Sequence, residues 1–475
     1  MELLTLNEAI SLDVKRANQL YKKHFNPGLL EVYKLLGMSE MDIESAEGVE
    51  IHLKDGRTIL DFSSSIGVLG LGHNHPRIIA AEELCHKKKL IDAIKVAPHK
   101  LQAAFAYNLS QLLPDPLQMC FFSVSGAEAV EAGLKICERA QGPKKTKFIT
   151  ASGSFHGKTH GALSLTTSGG FQRGFLMGIP KENIVEVPYG DVQALAAAIS
   201  ENQTGEGENS IIAIILEPIQ GQGLHSAPPG YLKEVVALCR ENNILSIFDE
   251  VKVSMGRTGT FCAFQIENVV PDVVTISKSL GGGKRAVGAM ITTEAIFNKA
   301  YAGRKDSSLH TTTFGGLGES CAVGIEALNV LQEENLIEGA REKGEYLKNK
   351  LLKLQEKHKG KIVEIMGRGL LQGIRFAFNK SFFSQVIDTS KFSIFNTLDA
   401  IMMASIIREL YQRYNIITHF SASDPDVLHV MPPLVVEYRQ LDEFVDAIDD
   451  ILERGLVKIV AEFVKGNVMD MQVKA

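Results

Sequence analysis

The chain has 475 residues and a mass of 51.9 kDa, which is enough for two or three domains. Apolar residues make up 45% and charged residues 22%, a mix that excludes disordered, collagenous and disulfide-stapled chains. Lys and Arg number 50 against 56 Asp and Glu, so the net charge is −6 and we expect no nucleic-acid partner.

Helical and strand-like patterns follow each other in a clear order along the chain. Residues 1–45 show an amphipathic helical pattern that is broken at Pro27-Gly28. VEIHL and TILDF, separated by the turn KDGR, then predict a strand, a turn and a second strand. From about Pro76, helical stretches alternate with six short apolar segments: MCFFSV, KFITAS, IIAIILEP, ILSIFDEV, DVVTISK and GAMITT. This alternation predicts a mostly parallel sheet covered on both faces.

The last third of the chain has a different pattern. It begins with a long helical stretch over 318–357 and continues with the strand-like segments IVEIMGRGLLQGIRF and VLHVMPPLVV. Further helices are predicted over 397–413 and 439–463. We therefore predict an α/β protein with an N-terminal arm and part of a small domain (1–75), a large doubly wound domain (76–316) and a smaller C-terminal α+β domain (317–475).

Several features favour a cytoplasmic protein that does not enter a membrane. The six cysteines are scattered and form no Cys-x-x-Cys pair, which indicates reduced thiols. The N-terminal stretch MELLTLNEAISLDVKR lacks the order of a signal peptide, and the longest apolar runs are too short to span a bilayer.

Ligands of α/β sheets bind at the carboxyl ends of the strands, so polar residues there are the first site candidates. Ser125 and Gly126 close the segment MCFFSV, and a helix begins near Ala127. The unpaired amides and positive dipole end of a helix N-terminus favour a phosphate. An ordinary N-cap serine is the alternative reading.

A second strand end carries Asp249 and Glu250. A buried carboxylate must be paired or it becomes neutral, so we expect a cation there, such as the protonated ring nitrogen of a cofactor. A structural salt bridge, for example to Arg257, is the alternative.

A third strand end carries Lys278, which three glycines soon follow. A lysine shielded from water loses its proton readily and can form a Schiff base. An ordinary solvated surface lysine is the alternative when Lys278 is considered alone. Taken together, the phosphate seat, the buried Asp and the shielded Lys match the needs of pyridoxal phosphate.

Six ordered segments carry a resemblance to a known family: SGAEAVEAGLKI, GSFHGKTHGALSLT, IIAIILEPIQG, IFDEVKVSMGRTG, TISKSLGGG and HTTTFGG. They resemble the class-III pyridoxal-phosphate aminotransferases, from about Asn26 to Glu453, and NPGLLE, SFHGKTHGALS, PPGYL and LHTTTFGG are most similar to the putrescine enzymes. The resemblance implies fold type I, pyridoxal phosphate, no metal, and ping-pong amino transfer between a primary amine or ω-amino compound and an oxo acceptor. Another reaction on this scaffold, such as an aminomutase or decarboxylase reaction, and a non-catalytic binding relative are the alternatives.

The resemblance also assigns roles to single residues. Lys278 matches the lysine that is joined to the cofactor and moves the substrate proton, and Asp249 matches the carboxylate on the ring nitrogen. Glu217 matches an acid that lies near the cofactor and its lysine. The other matching residues bind the cofactor: Ser125, Gly126 and Ala127 at the phosphate, Phe155 with His156 beside it on one ring face, Val251 on the other face, and Thr313 at the phosphate of the neighbouring subunit. The match of Thr313 implies a homodimer or higher assembly with shared sites.

Three departures from the family pattern concern basic residues. Lys252 stands where the family has a Gln that bonds the phenolic oxygen of the cofactor. We expect Lys252 to bind the cofactor as well, because a cation can bond that oxygen, although it would lower the electron density of the ring. Lys158 replaces an Arg, as in the putrescine enzymes. Lys284 and Arg285 follow the glycine run where the family has Pro and an aliphatic residue. These last two either bring cations to the mouth of the site or form a solvated surface pair.

Two further departures concern substrate binding. Gln222 stands in the place of a Glu and His429 in the place of an Arg, a pair that in the family opens to bind an α-carboxylate. We therefore expect glutamate and 2-oxoglutarate to be poor partners, unless Lys252, Lys284 or Arg285 supplies the missing charge. A protonated His429 that replaces the Arg is the alternative.

Overall fold

The structure, a computed structural model, describes residues 3–92, 96–205, 208–378 and 397–472. It begins with three helices and a three-stranded antiparallel meander: α1 Leu6–Ile10, α2 Val14–His24, α3 Pro27–Leu35, β1 Ile43–Glu47, β2 Glu50–Leu53 and β3 Thr58–Asp61. The break at Pro27 is confirmed, because the Asn26 side chain caps α3 at the amide of Leu29 and Pro27 is its first residue. The helical pattern fails at its end, where β1 starts at Ile43.

A seven-stranded sheet forms the centre of the large domain. Its strands are β4 Leu117–Ser123, β5 Lys147–Ala151, β6 Ile184–Val187, β7 Ile211–Leu216, β8 Leu245–Asp249, β9 Val273–Ile276 and β10 Gly288–Thr293. The order across the sheet is β4-β10-β9-β8-β7-β5-β6, and only β10 runs antiparallel to its neighbours. The six predicted strands and the mostly parallel arrangement are confirmed, while β6 is an additional edge strand.

Helices cover the sheet on both faces. The helices that follow β3 in this part of the chain are α4 Ser64–Gly67, α5 Pro76–Lys88, α6 Lys100–Leu112, α7 Gly126–Gln141, α8 His160–Ser164, α9 Val192–Glu201, α10 Tyr231–Glu241 and α11 Glu294–Tyr301. Ile247 and Val273 belong to an apolar cluster with α7. The next residues along the same strands, Phe248 and Val274, belong to a cluster with α6 and α10. Since successive strand residues point to opposite faces, the sheet is doubly wound, as predicted.

The C-terminal third contains helices and a second antiparallel sheet. Its elements are α12 Gly318–Glu333, α13 Leu336–Lys357, β11 Ile362–Arg368, β12 Leu371–Phe376, α14 Leu398–Tyr414, β13 Ile416–Ile417, β14 His419–Phe420, β15 Val427–Val430, α15 Tyr438–Arg454 and α16 Leu456–Gln472. The single helix predicted over 318–357 is wrong, because Asn335, at φ 52°, separates two helices. The helix predicted over 439–463 is also two, divided at Gly455 with φ 89°.

Two of these C-terminal strands determine the setting of the site. The short strand β13 pairs in parallel with β3, so segments from both ends of the chain share one sheet. In the sheet β11-β12-β15-β14, His419 and His429 are register partners. Within the described ranges, no helix combines the length and apolarity needed to cross a membrane.

Candidate active site

A cavity of about 530 Å³ lies at the carboxyl ends of the central strands. Most of the site residues predicted from the sequence line it: Gly126, Ala127, Phe155, His156, Glu217, Gln222, Asp249, Val251, Lys252, Lys278 and His429. Ser125 and Thr313 do not line it. A cavity of this size is typical of a small-molecule site.

The N-terminus of α7 forms one wall of the cavity. Ser125 is the N-cap residue, and its hydroxyl accepts the amide N–H of Glu128 at 3.2 Å. Gly126 and Ala127 begin the helix and line the cavity, where the first-turn amides have no partner within the helix. A Cβ atom at Gly126 would lie 2.7 Å from Cγ1 of Val251, so only glycine allows these two walls to approach so closely.

Asp249 is held at the end of β8 by three donors. Its Oδ2 lies 2.8 Å from His156 Nδ1, and its Oδ1 accepts from the amide of Val251 at 3.1 Å and the hydroxyl of Thr275 at 3.2 Å. Because a carboxylate only accepts, the proton of a neutral His156 is on Nδ1. His156 Nε2 is then an acceptor that is buried without a partner among the described residues.

The alternative ion pair with Arg257 is absent from the described residues. Arg257 donates to the carbonyls of Leu370, at 3.2 Å, and Pro432. The neighbouring Glu250 accepts the amides of Ala263 and Phe264, each at 2.8 Å, so it has a structural role. Burial raises the pKa of Glu250 to about 8.

Glu217 fixes two loops of the cavity wall. It accepts the amide of Phe155 at 2.9 Å and the amide of Gly221 at 2.7 Å. Burial raises its pKa to about 7, with an opposing effect from His156 and a supporting one from Asp249. The acid therefore positions Phe155 at the cavity and lies close enough to Asp249 to feel its charge.

Lys278 begins a short 3-10 turn directly after β9. Its φ of 51° is left-handed, a conformation that is uncommon for a residue with a side chain and is enriched at functional sites. Burial lowers the pKa of its amine to about 8, although the charges of Asp249 and Glu217 oppose this shift. The uncharged, nucleophilic amine is therefore a minor but far larger fraction at neutral pH than for an ordinary lysine, and it predominates above about pH 8.

Lys252 and His429 meet on another wall. The Lys252 ammonium donates to the carbonyl of Gly221, and its Nζ lies 3.3 Å from His429 Nδ1. His429 Nε2 lies 2.8 Å from the main-chain oxygen of Gln222, to which it donates, so Nδ1 accepts and the ring is neutral. Burial and the charge of Lys252 lower the pKa of His429 well below its usual range, which disfavours a protonated substitute for arginine.

His419 is a site residue that sequence reasoning missed. It lines the cavity, its ring centroid is 4.8 Å from that of His429, and its Nδ1 lies 3.0 Å from the hydroxyl of Ser63. The sequence around His419 carries no signal of its own, because β14 has only two residues. The pairing of β14 with β15 is what brings His419 next to His429.

Of the other basic residues that depart from the family pattern, only Lys158 lies at the cavity. Lys158 lines the cavity, and its Nζ is 4.5 Å from the ring centroid of Phe171. Lys284 donates to Asn74, and Arg285 pairs with two carboxylates, Glu82 at 2.7 Å and Glu319 at 2.6 Å. Neither Lys284 nor Arg285 lines the cavity, so neither supplies charge to it.

These residues fit pyridoxal phosphate. The amides at the start of α7 would hold the phosphate, Asp249 with its orienting His156 would pair with the ring nitrogen, and Lys278 would bind the aldehyde. Within the described residues, no group of His, Cys, Asp and Glu is arranged to hold a metal. When bound, pyridoxal phosphate supplies an electron-accepting ring that stabilises negative charge on a substrate carbon.

The doubly wound sheet and this cavity define a pyridoxal-phosphate-dependent transferase of fold type I. Residues 36–452 match the family model for aminotransferase class-III. Three solved structures are similar over most of this chain, each at 25% identity: an ornithine aminotransferase from Toxoplasma gondii with partial occupancy of pyridoxal phosphate (97% of this chain, 100% of that one, TM-score 0.76), an acetylornithine aminotransferase from Elizabethkingia anophelis (93%, 100%, 0.73) and an engineered thermostable omega transaminase (90%, 96%, 0.76). The chain belongs to the class-III aminotransferase family, and it is a pyridoxal-phosphate-dependent transaminase.

Proposed function

We propose that the amino donor is a primary amine or ω-amino compound without an α-carboxylate at the reacting carbon. The observation that carries this proposal is the neutral pair at the cavity wall, where His429 donates to the main chain of Gln222. This pair offers no planar fork of charged donors of the kind that binds an α-carboxylate through two hydrogen bonds. The similarity of several segments to putrescine aminotransferases supports the same class of donor.

The residues of the chain have separate tasks in such a reaction. Lys278 binds the cofactor and, once released from it, holds and delivers the proton at the substrate carbon. Asp249, oriented by His156, keeps the ring nitrogen protonated. Glu217 holds Phe155 and the Gly221 loop in place around the reactants.

We further propose a cytoplasmic homodimer in which Thr313 reaches the phosphate of the neighbouring subunit's site. Thr313 is exposed and lies beside the exposed Phe314, whose side chain is 61% accessible. Leu309, four residues before Thr313, is an exposed apolar residue of the same segment. The free cysteines among the described residues are consistent with a reducing compartment.

A matched pair of donors tests the substrate class. Butylamine and norvaline each carry a single amine and differ by the carboxylate at the reacting carbon, so each is mixed with the cofactor-loaded enzyme and the cofactor spectrum is followed. We expect butylamine to convert the cofactor at least about tenfold faster, because an α-carboxylate without a fixed bidentate partner keeps much of its desolvation cost. Faster conversion by norvaline, or release of carbon dioxide from norvaline instead of a carbonyl product, would contradict the proposal.

A further inference from the structure

Lys252 is a cavity lysine without an acidic partner. Its amine contacts the carbonyl of Gly221 and the neutral ring of His429, and no carboxylate of the described residues lies within ion-pair distance of it. The nearby carboxylates are engaged elsewhere, Glu217 by two amides and Asp249 by His156 and other donors.

A largely buried ammonium without a counter-ion is unstable in its charged form. Burial is the main cause of the strongly lowered pKa of Lys252, and the charge of Lys278 adds to it. An anion in the cavity would relieve this penalty, because the attraction between unit charges grows as water is excluded. The phenolic oxygen of the cofactor, which the residue at this position bonds in the family, is one such anion, and a substrate carboxylate that binds beside the cofactor is a second.

His419, whose ring contacts that of His429, is a second polar side chain of this cavity. The Ser63 hydroxyl oxygen accepts the amide N–H of Ile66 at 3.4 Å and lies 3.0 Å from His419 Nδ1. Since that hydroxyl can then donate to Nδ1, the His419 proton falls on Nε2, which is buried without a partner among the described residues. His419, through its ring, and Lys252, through its amine, therefore both contact His429.

We propose that Lys252, which lines the same cavity as His419 and His429, binds the carboxylate of a small monocarboxylic oxo acceptor. The anion site follows from the contacts of Lys252, and only its assignment to the acceptor rests on the proposed function. The carboxylate would lie in the active-site cavity, where the single ammonium of Lys252 takes the place of the guanidinium that the family has at the position of His429.

A monocarboxylate suits the charges of the cavity better than a dicarboxylate does. Lys278 is committed to the cofactor, and Arg285 and Lys284 are bonded outside the cavity. Arg257 is tied to backbone carbonyls and does not line the cavity. Lys158 remains, but it is exposed and stacked over Phe171.

Unreactive ligands test this site without any aminotransfer. Propionate and propionamide have nearly the same shape, and each is titrated calorimetrically into the cofactor-loaded enzyme. We expect propionate to bind at least about tenfold more tightly, as for a hydrogen bond to a charged group. Lys252→Gln should abolish this preference and Lys252→Arg should retain it, while the control Lys284→Gln, which removes the same charge outside the cavity, should behave as wild type.

Equal affinity of the wild type for the two ligands, including no binding of either, would overturn the proposal. So would a preference for propionate that survives in Lys252→Gln. If Lys252→Gln fails to hold the cofactor, the wild-type comparison and Lys252→Arg decide the question. Neither ligand can react, so the result is independent of whether putrescine is a donor.

Discussion

Lys278 and Lys252 both reach the cavity, and the groups around the two amines differ. Lys278, just after β9, has a left-handed backbone conformation. Its amine lies close enough to Asp249 and Glu217 to feel their charges. The Lys252 amine is hydrogen-bonded to the carbonyl of Gly221 and to His429. These contacts leave it without a carboxylate partner, so it can attract an anion. We therefore expect covalent chemistry at Lys278 and charge recognition at Lys252.

The lowered pKa of Lys278 predicts the pH dependence of cofactor capture. Only the uncharged amine attacks an aldehyde, and because the pKa is lowered to about 8, this form predominates above that pH. The rate at which apoenzyme captures pyridoxal phosphate should rise with pH and level off with a midpoint near 8. The appearance of the absorbance of the lysine-linked cofactor measures this rate. A midpoint of about 10.4, the ordinary pKa of a lysine side chain, would show that the amine is not shielded from water.

The pair of Gln222 and His429 predicts the choice of oxo acceptor. The pyridoxamine form of the enzyme should react at least about tenfold more slowly with 2-oxoglutarate than with pyruvate, because a second carboxylate finds no fixed partner. Stopped-flow measurement of the second half-reaction gives both rates. The double variant Gln222→Glu, His429→Arg should gain 2-oxoglutarate use, whereas His429→Arg alone buries an unpaired charge and should lose about 3–5 kcal/mol of stability. Fast conversion of 2-oxoglutarate by the wild type would refute the prediction.

At the scale of single elements, the sequence predicts the strands that carry the site and misses those without a strong local signal. The strands β8 and β9 are short apolar runs that end in polar residues, so both the strands and their reactive ends could be read directly. The edge strand β6 is partly exposed and has no such contrast. Asn335 ends a helix without Gly or Pro to mark the break, and His419 depends on a pairing with β15 that only the tertiary structure provides.

The close approach of α7 to Val251 predicts the effect of adding one methyl group. Gly126→Ala places a Cβ 2.7 Å from Val251 Cγ1, so the helix start or the valine must shift. We expect a loss of about 1–3 kcal/mol in the free energy of unfolding, as for other overpacked sites, together with weaker retention of pyridoxal phosphate.

A second helical glycine provides the control. At Gly339 in α13, the nearest atom to an added Cβ is Lys343 Nζ at 4.0 Å, so Gly339→Ala should be neutral or stabilising by about 0.5–1 kcal/mol. Chemical denaturation and cofactor titration of both variants measure the two effects. Equal behaviour of the two variants would mean that the walls of the cavity do not depend on Gly126.

In the whole molecule, the active-site cavity is built from the central sheet together with segments that lie far apart in the chain. The pairing of β13 with β3 brings the segment before His419 next to the turn that contains Ser63, and both His419 and Ser65 line the cavity. The composition and the alternation of elements are enough to predict the doubly wound sheet. They could not predict this contact, because it joins residues more than 350 positions apart (Ser63 and His419 are separated by 356).

Assembly gives the next prediction at this scale. If Thr313 reaches the phosphate of the neighbouring subunit, Thr313→Ala should weaken cofactor retention about ten- to a hundred-fold, the effect of one lost hydrogen bond to a charged group. Thr311→Ala, a nearby exposed threonine, should not change it. Dialysis against cofactor-free buffer measures retention, and sedimentation gives the mass in solution. A fully active monomer would rule out the shared site.

Borohydride trapping reveals which lysine carries pyridoxal phosphate. Borohydride reduces the bond between the lysine and the cofactor, which marks that lysine permanently for peptide mass spectrometry. We expect the mark on Lys278, with no mark and activity lower by orders of magnitude in Lys278→Ala. A mark on Lys252, the other lysine that shares the cavity wall with His429, or near-wild-type turnover of Lys278→Ala would contradict this assignment.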